Sequence, residues 1–259
     1  MSPIASPMTT LAKPAPVKPD APVPHYRRVI LKISGESFAK TDQFGIDPQE
    51  LGIIAREVLE ATRSGTQVAV VVGGGNIIRG AALAKAGAID QSTADYMGML
   101  GTVINGMALK VTLESLEQPA RLMSAIDIPA VGERFIRARA LRHFEKGRVL
   151  ILVAGTGNPF FTTDTCAALR GVDLSADILL KATKVDGVYT GDPKLDPKAK
   201  RFDKLTFAEA INRQLKVMDM TALTMCMENN LPVIVFDFKK HGNIRRVVEG
   251  EKLGTLVSN

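Results

Sequence analysis

Short β-branched and aliphatic runs alternate with longer amphipathic segments along most of this chain, a pattern that restricts it to βαβ units around a mainly parallel sheet. Val29 to Ile33, Gln67 to Val72, Val149 to Val153, Ile178 to Leu180 and Pro232 to Phe236 read as strands. Between the first two, residues 47–63 place Leu51, Ile54, Val58 and Leu59 at helical spacing, and Gly65 ends the helix. Right-handed crossovers follow from this order. The expected fold is an α/β three-layer αβα sandwich, in which ligands bind beyond the carboxyl ends of the strands.

With 259 residues, 46% of them apolar, the chain can bury the core of one large domain or two small ones. No apolar run approaches the roughly 20 residues a membrane helix needs, so a soluble protein without a membrane partner is expected. Residues 1–25 differ from the rest. Pro3, Pro7, Pro14, Pro16, Pro19, Pro22 and Pro24 deny this segment helical hydrogen bonds and predict a flexible tail ahead of a catalytic domain over 26–259. They also interrupt any secretory apolar stretch, and the absence of Arg before Arg27 disfavours an organelle transit peptide. Cys166 and Cys226 are the only cysteines, which supports neither a disulfide framework nor a Cys-based zinc site. His25, His143 and His241 lack metal-ligand spacing. The cytoplasm is the expected compartment.

The net charge of +6 is uneven, with Arg134, Arg137, Arg139, Arg142, Lys146 and Arg148 crowded into one stretch. A solvated helix face accounts for this, and an anion-effector or subunit contact is the alternative. Nucleic-acid binding is not supported, because only Phe135 and Phe144 accompany the charge and no binding motif does.

Four strand-end loops carry unusual chemistry. Lys32-Ile33-Ser34-Gly35-Glu36 offers a compact cation and a glycine that lets backbone N–H groups approach a phosphate. Gly73-Gly74-Gly75-Asn76-Ile77-Ile78-Arg79-Gly80 adds a glycine triplet ahead of a helix and a guanidinium fork for phosphate oxygens. The third loop, Gly155-Thr156-Gly157-Asn158-Pro159-Phe160-Phe161-Thr162-Thr163-Asp164, concentrates amides, hydroxyls, a carboxamide and a carboxylate, a donor density suited to a sugar phosphate and a base edge. Thr163-Asp164 also suits a helix cap. In the fourth, residues 181–193, Lys181 precedes Tyr189 and Asp192-Pro193, which could enclose a nucleoside; a β-hairpin around Asp186-Gly187 is the plainer alternative. The Walker, Rossmann and protein-kinase motifs do not occur.

Together and in this order, the motifs KISGE, GGGNIIRG, MGML, ARLMSAI, AGTGNPFFTTD and KATKVDGVYTGDP resemble the bacterial uridylate kinase branch of the amino acid kinase superfamily from about Tyr26 onward. The resemblance implies transfer of the γ-phosphoryl group of ATP to UMP, in pyrimidine nucleotide biosynthesis, with Mg²⁺ entering on ATP and no dedicated metal cage. Lys32, Ile33, Ser34, Gly35, Gly75 and Arg79 match ATP-phosphate positions, and Thr183, Tyr189 and Asp192 match positions around the adenosine. Gly74, Asp95, Thr156, Gly157, Asn158, Pro159, Phe160, Phe161, Thr162 and Thr163 match the UMP site, with Asp95 expected at the ribose hydroxyls. Asp164 and Asp177 match carboxylates needed for activity, and Lys181 a second phosphate-neutralising lysine.

Transfer between two phosphates depends on neutralisation and alignment more than on deprotonation, so no general base is expected. The resemblance further implies homohexamers, activation by GTP and inhibition by UTP. Arg121 and Arg148 match GTP positions, while Lys110, Glu114 and Arg137 replace an Arg, a His and a Trp of enterobacterial relatives; Arg137 could stack on guanine through its planar guanidinium. Kinases of other acids or phosphates share the fold, as do storage proteins without turnover. The third loop and Asp95 favour a nucleotide acceptor, and Lys32, Asp164 and Lys181 favour turnover.

Overall fold

The computed structural model describes residues 25–259 except 86, 88, 192, 194 and 197, and the side chains of 81–83 are also outside the description. The tail expected over 1–25 therefore lies outside the described residues apart from His25. Among the described residues nine strands form one sheet: β1 (Arg28–Ile33), β2 (Gln67–Val72), β3 (Ala120–Ser124), β4 (Glu133–Arg134), β5 (Val149–Val153), β6 (Ile178–Thr183), β7 (Lys204–Thr206), β8 (Val233–Asp237) and β9 (Thr255–Ser258). Their order is β4-β3-β5-β2-β1-β6-β8-β9-β7. All neighbouring pairs are parallel except β8 with β9. The last two strands therefore run against the rest and close one edge.

The helices are α1 (Pro48–Arg63), α2 (Gly80–Lys85), α3 (Gln91–Ser115), α4 (Arg137–Glu145), α5 (Thr163–Asp173), α6 (Phe207–Asn212), α7 (Met220–Glu228) and α8 (Asn243–Val248). Strand alternation sorts them into two layers. Val29, Leu31 and Ile33 share a core with Ile54 and Val58 of α1, Leu109 and Leu113 of α3 and Ile244 of α8. Ile30, Val71 and Leu152 face Phe144 of α4, Ala167 of α5, Phe207 ahead of α6's buried Ala210, and Leu223 of α7. Both faces are covered, as the near-continuous apolar runs require.

α1 begins one residue after the expected position because Asp47 caps it, accepting hydrogen bonds from the Gln49 and Glu50 amides. Its exit turns through Gly65 at φ +85°, a left-handed conformation that glycine adopts without steric cost. β6 runs three residues past its expected end, so Lys181 lies within the strand. No hairpin forms around Asp186-Gly187: Phe202 N donates to Val188 O and Tyr189 bridges Arg201, which makes a long connection instead.

Candidate active site

Parallel pairing places Lys32 of β1 directly opposite Lys181 of β6, on the sheet face that α5 covers. Neighbouring strands are only about 4.8 Å apart, so two ammonium groups here repel unless an anion separates them. Asp164, in the first turn of α5, supplies it: Oδ1 lies 2.9 Å from Lys32 Nζ, and Oδ2 accepts from Lys181 Nζ at 2.6 Å. Lys181 Nζ also donates to Val217 O at 2.6 Å. The contact between Lys32 and Oδ1 lacks hydrogen-bond geometry, so this buried oxygen has charge compensation but no directed donor.

Burial acts most strongly on Asp164 and opposes its ionisation, yet Lys32 and Lys181 together hold the carboxyl below the usual carboxylate range. Lys181 is also pushed below the ordinary lysine range, first by burial and then by Lys32, against the opposing pull of Asp164. The paired groups shift in the same direction because one carboxylate serves two cations. The triad keeps an excess positive charge, suited to a transferring phosphoryl group.

The backbone around this triad depends on glycine at defined contacts. A Cβ on Gly35 would lie 2.4 Å from Gly75 N, and one on Gly74 would lie 2.6 Å from Gly98 O of α3. Gly75 faces open space, leaving its backbone free to meet a phosphate. A buried carboxamide pair holds the triplet, with Asn105 Nδ2 donating to Gly73 O at 2.8 Å and to Asn76 Oδ1 at 2.6 Å. Thr102 Oγ1 accepts from Ala154 N at 2.7 Å, fixing the end of β5. There Ala154, Gly155, Gly157 and Phe160 all have positive φ, a concentration of left-handed backbone that marks a shaped loop.

That loop, the glycine triplet and α3 enclose a cleft of about 300 Å³ whose walls include Ser34, Gly35, Gly74, Gly75, Asp95 and Thr156. Phe161, Thr162 and Thr163 also face it. Asp95 Oδ2 accepts from Phe160 N at 2.7 Å while Oδ1 accepts from Gln91 Nε2 at 2.7 Å, so this carboxylate ties α3 to the third loop. Thr156 Oγ1 accepts from Asn158 N at 3.2 Å, and Phe160 is largely exposed beside Pro159. Arg79 pairs with Glu36 at 2.9 Å near the cleft's outer side, and Ile33 lies in the core beneath.

A second cleft, about 330 Å³, opens beyond β6 between Val185, residues 187–191 and Pro193 on one side and Arg213, Gln214, Leu215 and Lys216 on the other. Tyr189 forms part of its wall and donates to Asp186 Oδ1 at 2.6 Å, whereas Thr183 Oγ1 donates to Val185 O at 2.6 Å. Asp192 lies outside the described residues.

Asp177 requires a correction. It precedes β6 and accepts from Arg28 N at 2.8 Å at the start of β1, four strand positions before Lys181. At about 3.3 Å per residue it stands at the opposite end of the sheet from the triad, where it anchors two strand starts and touches no candidate reacting group. Arg121 and Arg148 are not in either cleft. Arg121 lines a separate hollow of about 500 Å³ at the β4–β3 edge, with Lys110, Glu133, Arg134 and Arg139. Arg148 reaches that hollow through His143, whose Nδ1 lies 3.0 Å from its guanidinium and whose Nε2 lies 3.2 Å from Glu133. Because a guanidinium only donates, Nδ1 accepts and the ring proton sits on Nε2. Arg137 is engaged elsewhere, donating from Nε to Asp173 O at the end of α5.

Sequence reasoning passed over Asp219. It caps α7 by accepting from Ala222 N at 3.0 Å, and its carboxylate also takes the hydroxyls of Thr162 and Thr165 on α5. Asp-Met-Thr before an apolar segment reads as an ordinary helix cap, so only the fold reveals the second attachment.

The amino acid kinase family model matches residues 27–237. The chain is 53% identical over 232 residues to the chloroplastic uridylate kinase PUMPKIN of Arabidopsis thaliana, covering 90% of this chain and 68% of that protein. A solved UMP kinase from Bacillus anthracis superposes with a TM-score of 0.87 at 39% identity, over 90% of this chain and 96% of the other. For the UMP kinase of Ureaplasma parvum the TM-score is 0.85 at 39% identity, over 90% and 99%. The family match over most of the chain and these identities show that the chain belongs to the amino acid kinase family.

Proposed function

We propose that this chain is a UMP kinase that moves the γ-phosphoryl group of ATP to UMP, yielding UDP and ADP for pyrimidine nucleotide synthesis. The observation that carries this reading is the register-paired Lys32 and Lys181 bridged by Asp164, next along the chain to Thr163 of one cleft and tied through Val217 to the neighbouring Lys216 of the other. One cleft has the glycine loops, Asp95 and the threonine-rich loop, and it takes UMP; the other takes the nucleoside of ATP. The uridylate and UMP kinases to which the chain is similar support the choice of acceptor.

In this mechanism Lys32, Lys181, Arg79 and the amides of Gly35 and Gly75 neutralise and align the transferring group. Asp164 holds the lysines apart and in place. The acceptor oxygen is already anionic, so no side chain removes a proton from it. Mg²⁺ bound with ATP would add charge neutralisation to the triphosphate, and Asp164, whose buried Oδ1 has no directed donor, is the carboxylate that would face it.

Self-association belongs to the same proposal. Tyr96, Leu100, Ile104, Met107 and Val111 are exposed along one face of α3, an apolar stripe that a second copy would cover. A homohexamer is the assembly we propose. We assign GTP activation to the hollow containing Arg121, and UTP inhibition to the acceptor cleft. Beside the hollow Glu114 lies 2.8 Å from Lys110 and 3.7 Å from Arg121, so its carboxylate competes with a bound triphosphate for these two cations. The proposal places the enzyme in the cytoplasm, in keeping with two buried free thiols; among the described residues no helix is long and apolar enough to cross a membrane.

The test is turnover of Mg·ATP with UMP, CMP, dUMP and AMP, with products separated and quantified directly. UDP formed from UMP, with poor use of the other acceptors, is expected. Failure to bind UMP, with or without GTP, would remove the assignment.

A further inference from the structure

The segment Arg213–Met218 does two things at once. Its first four residues form one wall of the cleft beyond β6, and Val217 O then accepts from Lys181 Nζ at 2.6 Å. The backbone is sharply bent between these contacts: Gln214 has φ +50° and Val217 N donates to Leu215 O at 2.8 Å. Only a short bent stretch of backbone therefore separates the cleft wall from the carbonyl that holds Lys181.

Asp219 ends this segment and fastens it to α5. One carboxylate oxygen accepts from Thr165 Oγ1 at 2.9 Å and from Ala222 N at 3.0 Å; the other takes the Thr162 hydroxyl. Thr162 is itself the cap of α5, accepting from Asp164 N at 3.0 Å and Thr165 N at 3.2 Å. One carboxylate thus fixes the starts of α5 and α7, and with them the two groups that hold Lys181.

We propose that Asp219 is a positioning residue for phosphoryl transfer: it locks the segment 213–218, which carries the cleft wall, to the start of α5, so that nucleoside binding sets where Lys181 and Asp164 stand. The coupling rests on the reading that this cleft takes the nucleoside of ATP. Asp219 also contributes charge. Lys181 faces Lys32 from β1, Asp164 from α5 and Asp219 from the start of α7, while the Cys226 thiol of α7, pushed up to about 12 chiefly by burial, senses both carboxylates. Asp219 favours the protonated form of Lys181, and loss of its charge moves deprotonation of that lysine to lower pH.

The test compares Asp219→Asn and Thr165→Val with the wild-type full chain. Circular dichroism checks folding, steady-state kinetics give kcat and both KM values, and competitive amine labelling across pH, read by mass spectrometry, follows Lys181 without using the reaction. Asp219→Asn is expected to lower kcat on the order of 10²-fold, as small misplacements of reacting groups do. The KM for ATP rises, the KM for UMP rises less, through the Thr162 contact, and the Lys181 labelling midpoint falls. Thr165→Val keeps the charge, so it lowers kcat less and leaves the midpoint in place. Wild-type kcat in Asp219→Asn, or an unmoved Lys181 midpoint there, overturns the proposal. If that variant does not fold, Thr165→Val decides: reduced kcat with unchanged KM for UMP supports the lock, and wild-type kcat overturns it. Absence of UDP from the wild-type reaction would remove the UMP kinase reading, while the labelling still decides the role of Asp219.

Discussion

Two lysines in register on adjacent parallel strands would repel in the absence of Asp164. The same excess charge that strains the free site is what an incoming phosphoryl group needs. Lys32→Ala is therefore expected to reduce kcat by roughly two orders of magnitude, the scale for losing one charged transition-state contact; a rate close to wild type would exclude Lys32 from the chemistry. Asp164 has its folded-state pKa lowered by the two lysines against burial. Its ionisation thus stabilises the native state above about pH 4, and that contribution is lost as pH falls through the lowered folded value. Urea unfolding across this acid range should show a steeper loss of stability in wild type than in Asp164→Asn. Lys181 has linkage of the same sign in a different window: its lowered value makes the native state gain stability as pH rises from that value toward the ordinary lysine range near 10.4. The residue types of this triad were readable from the strand-end motifs. Their pairing was not, because register between residues 149 positions apart is set by the whole sheet. Asp177 shows the converse, since a motif match gave no information on which end of the sheet it occupies.

At the scale of elements, the site is a junction of loops packed backbone against backbone. Gly35→Ala would bring a methyl group within 2.4 Å of Gly75 N. The loops must separate, at a cost of about 1–3 kcal/mol for an overpacked contact. Urea unfolding should detect that loss, and a raised KM for ATP should accompany it. The central strands β1, β2, β5, β6 and β8 were legible because they are buried on both faces and read as continuous apolar runs. The edge was less so. β4 has two residues and β7 three, too short for a periodic signal, and β9 reverses direction against β8, which no local pattern announces. β3 was missed because Arg121 interrupts its apolar run. The third loop's unusual composition was visible, whereas the left-handed backbone at Ala154 and at its own Gly155, Gly157 and Phe160 and the hydrogen bond from Phe160 N to Asp95 appear only in the folded chain.

For the whole molecule, α3 links three features: Asp95 at the acceptor cleft, the exposed apolar stripe, and Lys110 and Glu114 beside the basic hollow. Replacing Ile104 with Glu places a charge in the middle of that stripe. Sedimentation velocity should then report smaller species than wild type; an unchanged distribution would show that copies meet elsewhere. Glu114→Gln removes the carboxylate between Lys110 and Arg121, and a GTP titration of initial rates should reach half-activation at lower GTP concentration. The proposed transfer is direct, within a site whose charge neutralises the moving group, with no covalent relay. Incubation with ATP labelled in the γ-phosphate tests it most directly. Label should pass to UDP only when UMP is present and leave the protein unlabelled; labelled protein, or ATP consumed with no label in UDP, would contradict it.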